Sequence, residues 1–530
     1  MDARRLLRSD INQYKALLIE AGLKDDCPSE AYGIFDEDRL VGAGGRDGNV
    51  LKGFAISPSY RGEGLLASIV GPLLDDLGQE ALVFTSPASM QAFQSLGFLL
   101  LGSTDQAALL TSRPHEYRRF IDTIKAQGAK AAVVANANPF TKGHLYLITQ
   151  AIKAEGRVLV LIVQADRSAY PFFLRLEMAR RALKGLDAIV MPSGPYIISQ
   201  ATFPTYFIKD DSLASKAYAD LDAAVYSRIA HDAGIQMRYV GTEPFDKLTE
   251  YYNQALCARA AVTVIPRLGQ ISASSYRKTQ DPELVPSVNL GLLDLARKGK
   301  DKAGILGALA REALEKEVML TPKPGLVDQA NNGSHTDMDL ELFMKSAKAL
   351  QGYFEQCARM GEDYDGTFPA KLREAGIQAE EVMLKATGGV NTHKGAIFSM
   401  GILCYCLAQE PFGNPSQRIK LMCSSLQPRR GAVDMARTGY SLVFQALSLS
   451  PLRALAFFMA GLDDANILRR GGEDSLAWTQ KQASSMLHLP EQDLKQAMEN
   501  LDQGMMKAGL SPGGSADMMG LYYLLKSLEA

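Results

Sequence analysis

The sequence predicts a multidomain protein in which α/β segments are followed by an all-α segment. Three observations carry this reading. The chain has 530 residues, 47% of them hydrophobic and 22% charged, enough for about three domains of ordinary size, each burying its own core. From 118 to 297, strand-like runs at 157–164, 188–192, 236–240 and 261–266 alternate with helix-periodic segments such as 175–186, the order expected of a parallel, doubly wound sheet. After about residue 300, β-branched runs become scarce and long helical patterns rich in Met take over, which predicts helices packed on helices. The divisions are 1–117, 118–297 and 298–530, with the charged, glycine-containing stretch 296–302 as the linker into the last segment.

Composition narrows the function classes. A net charge of −2 argues against a polyanion-binding protein, so no nucleic-acid partner is expected. Six cysteines (Cys27, Cys257, Cys357, Cys404, Cys406 and Cys423) are scattered, without Cys-x-x-Cys or paired His spacing. That pattern argues against a disulfide framework and against structural zinc. The first twenty residues lack the apolar region of a signal peptide, and the apolar runs 396–408 and 452–462 are too short to cross a bilayer. A cytoplasmic protein without a membrane partner is the expectation.

In the first segment a strand-like run, Leu51-Lys52-Gly53-Phe54-Ala55-Ile56, leads into Tyr60-Arg61-Gly62-Glu63-Gly64-Leu65, with Phe93-Gln94-Ser95-Leu96-Gly97-Phe98 further on. A strand, a glycine-rich turn and a helix can offer backbone N–H groups to a pyrophosphate. The order resembles the GNAT acetyltransferases, and the resemblance implies an acyl-CoA-like site at Arg61, Gly62 and Gly64. Leu66 stands where that family has a small residue, and its side chain is expected to crowd the pyrophosphate. A docking role for this segment is therefore weighed beside acyl-CoA chemistry.

The second segment holds the most informative stretch. Ala131 to Ala135 reads as a buried parallel strand, Asn136 to Gly143 as a tight loop, and His144 onward as a helix. Such a unit is an anion site: Gly143 allows close approach, His144 and Thr141 can hydrogen-bond phosphate oxygens, and Lys142 adds a charge. Downstream, Ile271-Ser272-Ala273-Ser274-Ser275-Tyr276-Arg277 would bring Ser272, Ser274 and Arg277 to the other side of the same phosphates. Tyr170-Pro171-Phe172 and Arg175 follow another strand and suit either a pocket wall or a turn before a helix; Phe203, Tyr206 and Phe207 suit either aromatic core or pocket.

Asn136 to His144, Pro195-Tyr196-Ile197-Ile198-Ser199, Ala201-Thr202-Phe203-Pro204-Thr205-Tyr206-Phe207, Val240-Gly241-Thr242-Glu243-Pro244-Phe245 and Ile265-Pro266-Arg267 together resemble the citrate lyase ligases, which are similar to the HxGH nucleotidylyltransferases of Rossmann-like fold. Thr141 takes the place of the first His of that pattern. The resemblance covers roughly the first 290 residues. It implies that ATP activates acetate to acetyl-adenylate, and that the acetyl group then passes to the prosthetic-group thiol of the citrate lyase acyl carrier subunit, releasing AMP and pyrophosphate. Catalysis is assigned on this basis to His144, Thr141 and Arg277, and ATP binding to Asn136, Asn138, Phe140, Lys142, Gly143, Gly241, Ser272 and Ser274.

The third segment carries five polar clusters placed in loops between apolar helices. They are Thr321-Pro322-Lys323-Pro324-Gly325-Leu326-Val327-Asp328, Asn331 to Asp339, Gly389-Val390-Asn391-Thr392-His393-Lys394-Gly395, Asp463 to Asn466 with Arg469-Arg470-Gly471-Gly472, and Ser511-Pro512-Gly513-Gly514-Ser515-Ala516-Asp517. Any one suits a turn or a helix cap. Together they combine carboxylates fit for Mg²⁺ with cations and glycine-rich backbone fit for phosphates. The clusters are similar to those of the triphosphoribosyl-dephospho-CoA synthases. The resemblance implies that the ribose 2′-hydroxyl of 3′-dephospho-CoA attacks the anomeric carbon of ATP and expels adenine. Asp328, His393 and Asp463 are the acid–base candidates; Asp337, Asp339, Asp463 and Asp464 the metal candidates; Lys323, Asn391, Lys394, Arg470, Gly513 and Gly514 the ATP contacts. His335 suits a turn cap. In place of the family's Arg-Gly-Glu-Ala-Glu-x-Gly element the chain has Arg430-Gly431-Ala432-Val433-Asp434-Met435-Ala436-Arg437-Thr438-Gly439, where Asp434 can substitute for one carboxylate. Two rivals stay open: an adenylyltransferase of the pantetheine-phosphate type, and a carrier-binding scaffold with an inactive C-terminal domain.

Overall fold

The computed structural model describes residues 2–529 apart from 25, 165–167, 199–202, 205–206, 209–210, 243–246, 363–369 and 429, and omits the side chains of 211–213 and 247–249. Ser199, Ala201, Thr202, Thr205, Tyr206, Glu243, Pro244 and Phe245 from the motifs above therefore lie outside the described residues. The chain divides into two compact units, Met1–Leu290 and Gly291–Ala530.

The first unit contains two sheets. One has seven strands, β1 (Arg4–Arg5), β2 (Glu30–Asp36), β3 (Arg39–Asp47), β4 (Val50–Ile56), β5 (Leu82–Thr85), β6 (Leu99–Ser103) and β7 (Ala108–Thr111), in the order β1-β2-β3-β4-β5-β7-β6. Its pairings are antiparallel except β4 with β5, which run parallel through Val50–Leu82 and Leu51–Val83. Helices α1 (Ile11–Glu20), α2 (Leu65–Leu77), α3 (Pro87–Ser95) and α4 (Pro114–Lys125) accompany it. The glycine turn falls where expected, with Gly62 at φ 92° and Gly64 at φ 79° just ahead of α2, the left-handed region where glycine carries no Cβ penalty. Arg61 is exposed. Leu66, expected to crowd this turn, packs against the core of the sheet.

The second sheet has five strands, β8 (Ala131–Ala135), β9 (Val158–Ile162), β10 (Ala188–Pro192), β11 (Met237–Gly241) and β12 (Val262–Ile265). All are parallel, in the order β10-β9-β8-β11-β12. The chain adds β9 and β10 on one side of β8, then returns to add β11 and β12 on the other. The order thus reverses between β8 and β11, and ligands of such sheets gather beyond the strand ends at that point. Helices α5 (Lys142–Glu155), α6 (Phe172–Ala182), α7 (Asp211–Ala233), α8 (Lys247–Cys257) and α9 (Ala273–Thr279) connect or follow these strands. The two sheets share one apolar core, in which Leu82, Phe84, Leu101 and Leu109 meet Tyr196, Ile197, Leu221 and Val225. The contact is close: a Cβ on Gly102 of β6 would lie 2.9 Å from the backbone nitrogen of Val225 on α7.

The second unit is helical among the described residues: α10 (Leu290–Ala296), α11 (Lys302–Met319), α12 (Leu340–Gly361), α13 (Ala370–Ala386), α14 (Lys394–Leu407), α15 (Ser416–Cys423), α16 (Ala432–Arg437), α17 (Ser441–Ala446), α18 (Pro451–Gly461), α19 (Ala465–Met486), α20 (Glu491–Ala508) and α21 (Gly513–Glu529). Helix α14 is apolar all round, as a central helix must be, and it packs with α11, α12 and α21. One expectation needs correction. Arg469 to Gly472 do not form a loop; they continue α19, and Gly472 at φ 74° kinks the helix there. Four of the six cysteines are buried and all six are free thiols. Among the described residues no helix is long and apolar enough to cross a membrane.

Candidate functional site

At the reversal point of the parallel sheet lies a cavity of about 910 Å³, lined by the ends of β8, β11 and β12, the start of α5 and the start of α9. Its loop is held from behind. Arg175 on α6 is fully buried, and its Nη1 donates to Asn136 O (2.7 Å), Asn136 Oδ1 (2.9 Å) and Val163 O (2.9 Å), while Nε donates to Tyr170 O (2.9 Å). Asn138 Oδ1 accepts from the Tyr170 N–H at 3.0 Å. These bonds keep Ala137 in the left-handed region at φ 49°, a conformation a non-glycine residue holds only when its surroundings impose it. Arg175 is thus a brace for the β8 and β9 loops rather than part of the cavity wall.

The loop ends on Thr141, the N-cap of α5. The Thr141 N–H donates to His144 Nδ1 (3.0 Å), and Thr141 Oγ1 lies 2.9 Å from the same nitrogen. A backbone N–H can only donate, so Nδ1 is the acceptor and the ring proton sits on Nε2. Burial pushes the His144 pKa down to about 4, so the ring is neutral at pH 7. Phe140, fully buried, packs against this ring with centroids 5.4 Å apart. Gly143 gives room to the second motif: a Cβ there would stand 3.0 Å from the Ile271 carbonyl oxygen. Ser272, the N-cap of α9, accepts from Ser275 N at 2.9 Å and lies 2.9 Å from Ser274 Oγ. From α9 the exposed Arg277 donates to the Asn138 carbonyl. The two motifs therefore meet, as the sequence predicts.

Asn136, Thr141, Gly143, His144, Gly241, Ser272, Ser274 and Arg277 all line the cavity, whereas Asn138, Phe140 and Lys142 lie behind or beside it. Lys142 reaches the exposed Glu283 at 3.4 Å. The inner end is formed by Ile197 and Ile198 of the 195–199 motif together with Tyr218, Asp222, Arg238 and Tyr252, and the last four were missed by sequence reading. Asp222 is buried; its Oδ1 accepts from Ile198 N (3.0 Å) and its Oδ2 from the Tyr252 hydroxyl. Arg238, 3% exposed, donates to Tyr252 Oη at 3.0 Å and stacks over the Tyr226 ring at 4.1 Å. A charged residue in the middle of a predicted apolar strand was the available signal.

The second unit gathers its motifs around buried polar groups. In the 321–339 segment Asp328 accepts from the backbone N–H groups of Lys323, Ala330 and Asn331 (2.7–3.0 Å). Gly325, at φ 70°, sits where a Cβ would strike Leu510 O at 2.3 Å, so only glycine closes this turn. Lys323 is paired with Glu317 at 2.5 Å, both nearly inaccessible. Asp464 caps α19 through Asn466 N (2.9 Å) and binds the start of α21 through Ser515 N (3.0 Å). Gly513 and Gly514 allow that approach, since a Cβ on either would lie within 3.0 Å of Asn466 Nδ2 or Asp464 Oδ2. Asp517 lies against Gly395 at the start of α14, and burial beside Asp464 and Glu317 holds its carboxyl well above the usual range. His393, also buried, has Nδ1 2.7 Å from Ser346 Oγ; burial and nearby Lys323 push its pKa down to about 3.

Not every expected group converges. Asp339 is the exposed N-cap of α12, accepting from Leu342 N at 2.9 Å, and Asp337 is exposed beside His335. Asp463 is exposed near Gln480, while Asp464 is spent on helix ends. Among the described residues no three His, Cys, Asp or Glu side chains form a metal-holding group, so these four aspartates do not fit a preformed Mg²⁺ site. Lys394 pairs with Glu380 at 2.7 Å, Asn391 accepts from the Lys394 N–H at 3.2 Å, and Arg470 donates to Ser334 O and Gly509 O. Asp434 sits on α16 near Arg437 at 3.8 Å.

Comparison with known proteins assigns the two halves separately. The family described as citrate lyase ligase C-terminal domain matches residues 130–288, and the family described as ATP:dephospho-CoA triphosphoribosyl transferase matches 304–440 and 427–530. The overlap of the latter two pieces coincides with the altered Arg430–Gly439 element. A [citrate [pro-3S]-lyase] ligase of Klebsiella pneumoniae is 34% identical over 248 residues, 45% of this chain and 72% of the relative. The corresponding ligase of Haemophilus influenzae is 32% identical over 49% of this chain and 88% of its own length. A 2-(5''-triphosphoribosyl)-3'-dephosphocoenzyme-A synthase of Pectobacterium atrosepticum is 35% identical over 40% of this chain and 85% of the relative. The chain belongs to the citrate lyase ligase family in its first half and to the triphosphoribosyl-dephospho-CoA synthase family in its second.

Proposed function

We propose that this chain is a bifunctional enzyme of citrate lyase activation and cofactor assembly, divided at about 117 and 297 into a GNAT-like module, an HxGH-type nucleotidylyltransferase-like ligase domain and a helical synthase domain. In the ligase, an acetate oxygen attacks the α-phosphorus of ATP, the bond to the bridging oxygen breaks, and pyrophosphate leaves. The prosthetic-group thiol of the citrate lyase carrier subunit then takes the acetyl group; AMP leaves and the thiol proton is released. The observation that carries this reading is the neutral His144 imidazole, whose Nδ1 is occupied by the Thr141 N–H, leaving Nε2–H at the cavity with Ser272, Ser274 and Arg277 opposite. Fixed donors of this kind stabilise charge as it moves onto pyrophosphate.

In the synthase, the 2′-hydroxyl of 3′-dephospho-CoA displaces adenine from the anomeric carbon of ATP, and the triphosphate stays on the ribose. Such a displacement needs a base for the hydroxyl and an acid for adenine. His393, Asp328 and Asp463 are the sequence-derived candidates, and Asp517, whose carboxyl is held well above the usual range by burial beside Asp464 and Glu317, is the acid we add. Lys323, Asn391, Lys394, Arg470, Gly513 and Gly514 are proposed as ATP contacts. Mg²⁺ enters with the polyphosphate of ATP, with no residue of this chain assigned to it. The acyl-CoA-like turn at Arg61, Gly62 and Gly64 and a cytoplasmic location complete the proposal.

The test is pyrophosphate release from ATP with acetate and deacetylated citrate lyase, followed by adenine release from ATP with 3′-dephospho-CoA. Acetate-dependent pyrophosphate release that falls about 10²- to 10³-fold in His144→Ala supports the ligase; release that ignores acetate refutes it. Absence of adenine release refutes the synthase.

A further inference from the structure

The inner end of the ligase cavity contains a charge whose hydrogen bonding is incomplete. Arg238 is 3% exposed, yet among the described residues its Nε and Nη1 have no hydrogen-bond partner. Its other Nη donates to the Tyr252 hydroxyl, which in turn donates its hydrogen bond to Asp222. The guanidinium therefore faces a phenol oxygen and the Tyr226 ring, and among the described residues it forms no direct ion pair with a carboxylate. A buried guanidinium with two unused N–H groups is costly unless an anion completes it. The planar fork of Arg suits a carboxylate or a phosphate, and the surroundings decide between them. Around it stand Ile197, Ile198 and Tyr218, apolar surface of the kind a short alkyl group buries well.

Resting on the ligase reading above, we propose that Arg238 binds the carboxylate of the acid substrate, with Tyr252 and Asp222 fixing the guanidinium and Ile197, Ile198 and Tyr218 enclosing the alkyl end. The leaving pyrophosphate then lies at Thr141 to His144, Ser272 and Arg277, with the α-phosphorus turned towards the bound carboxylate that attacks it. The subsite selects a small monocarboxylate by charge at one end and by volume at the other.

The experiment is acetate-dependent exchange of labelled pyrophosphate into ATP, comparing wild type with Arg238→Lys, and fitting KM for acetate and for ATP independently. Losing a geometry-matched, charge-assisted pair should raise the acetate KM about 10- to 100-fold and leave the ATP KM within about 3-fold. Should Arg238→Lys lose its cooperative thermal transition, the pair Arg238→Gln with Asp222→Asn, which removes both charges together, carries the same expectation. An unchanged acetate KM overturns the proposal. An equal rise in the ATP KM also overturns it, by putting a phosphate on Arg238. Wild-type protein that exchanges pyrophosphate without any acetate dependence refutes the ligase reading itself, a result distinct from either.

Discussion

The two units use the same residue types in opposite ways. In the first, a parallel sheet delivers loop residues to an open cavity, and the polar groups divide cleanly: Arg175 and Asn138 hold the loop, while His144, Ser274 and Arg277 face the space where a ligand would lie. In the second, helices bring polar groups inward, and the same carboxylates that suit a ligand also close turns and helix ends. Asp328 satisfies three backbone N–H groups and Asp464 joins α19 to α21. Interior strands have their backbone paired with neighbours on both sides, so the loops at their ends can turn side chains towards a ligand. A helix terminus leaves backbone donors unpaired and recruits side chains to them.

Four measurements can break or sharpen that contrast. The largest effect is expected from Arg175→Ala, which strands four oxygen acceptors around a buried site; it should destabilise the first unit by about 3–5 kcal/mol and abolish pyrophosphate release. Urea unfolding followed by tryptic sensitivity checks it, and a loss below about 1 kcal/mol would mean that the loop holds itself. His144→Ala should then show the reverse profile, a rate loss of about 10²- to 10³-fold with the midpoint of unfolding nearly unchanged. In the second unit Asp464→Ala removes the acceptor shared by α19 and α21 and should cost about 2–3 kcal/mol, read from the same urea transition. The smallest effect concerns acid. His144 and His393 have folded pKa values pushed down from 6.5, to about 4 and about 3. The neutral rings favour the folded state above pH 6.5, and that stability is lost as pH falls towards 4 and 3. Replacing either by Gln should flatten the pH dependence of stability in its own unit, while a slope unchanged in both variants would assign acid sensitivity elsewhere.

How much of this was legible in the sequence follows from where the partners lie. Thr141 and His144 are three residues apart on one helix start, so their contact is written locally. The parallel order of β8 to β12 was readable from alternation alone. The Asp222–Tyr252–Arg238 relay was not, because three elements must fold before those side chains meet. Asp328 and Asp464 were recognised as chemically capable but not as acceptors for backbone N–H groups, since a carboxylate offered to a backbone N–H and one offered to a ligand look identical in sequence. Glu317 and Asp502 escaped notice because a charged residue within a long helical pattern ordinarily faces water. Here Glu317 meets Lys323 in the interior, and Asp502 accepts from Gly325 N at 2.8 Å.

The near-contact of Gly102 with the backbone of Val225 has a consequence for how this half of the chain can evolve. Helix α7 carries Tyr218 and Asp222, two of the groups at the inner end of the cavity, and it rests directly on an edge strand of the N-terminal sheet. That sheet can lose any chemistry of its own and still be retained, because it is the wall against which helix α7 is set. Removing it would take the ligase with it. Conversely, a methyl group added at Gly102 would press on Val225 and displace α7, reshaping the cavity although the altered residue does not line it.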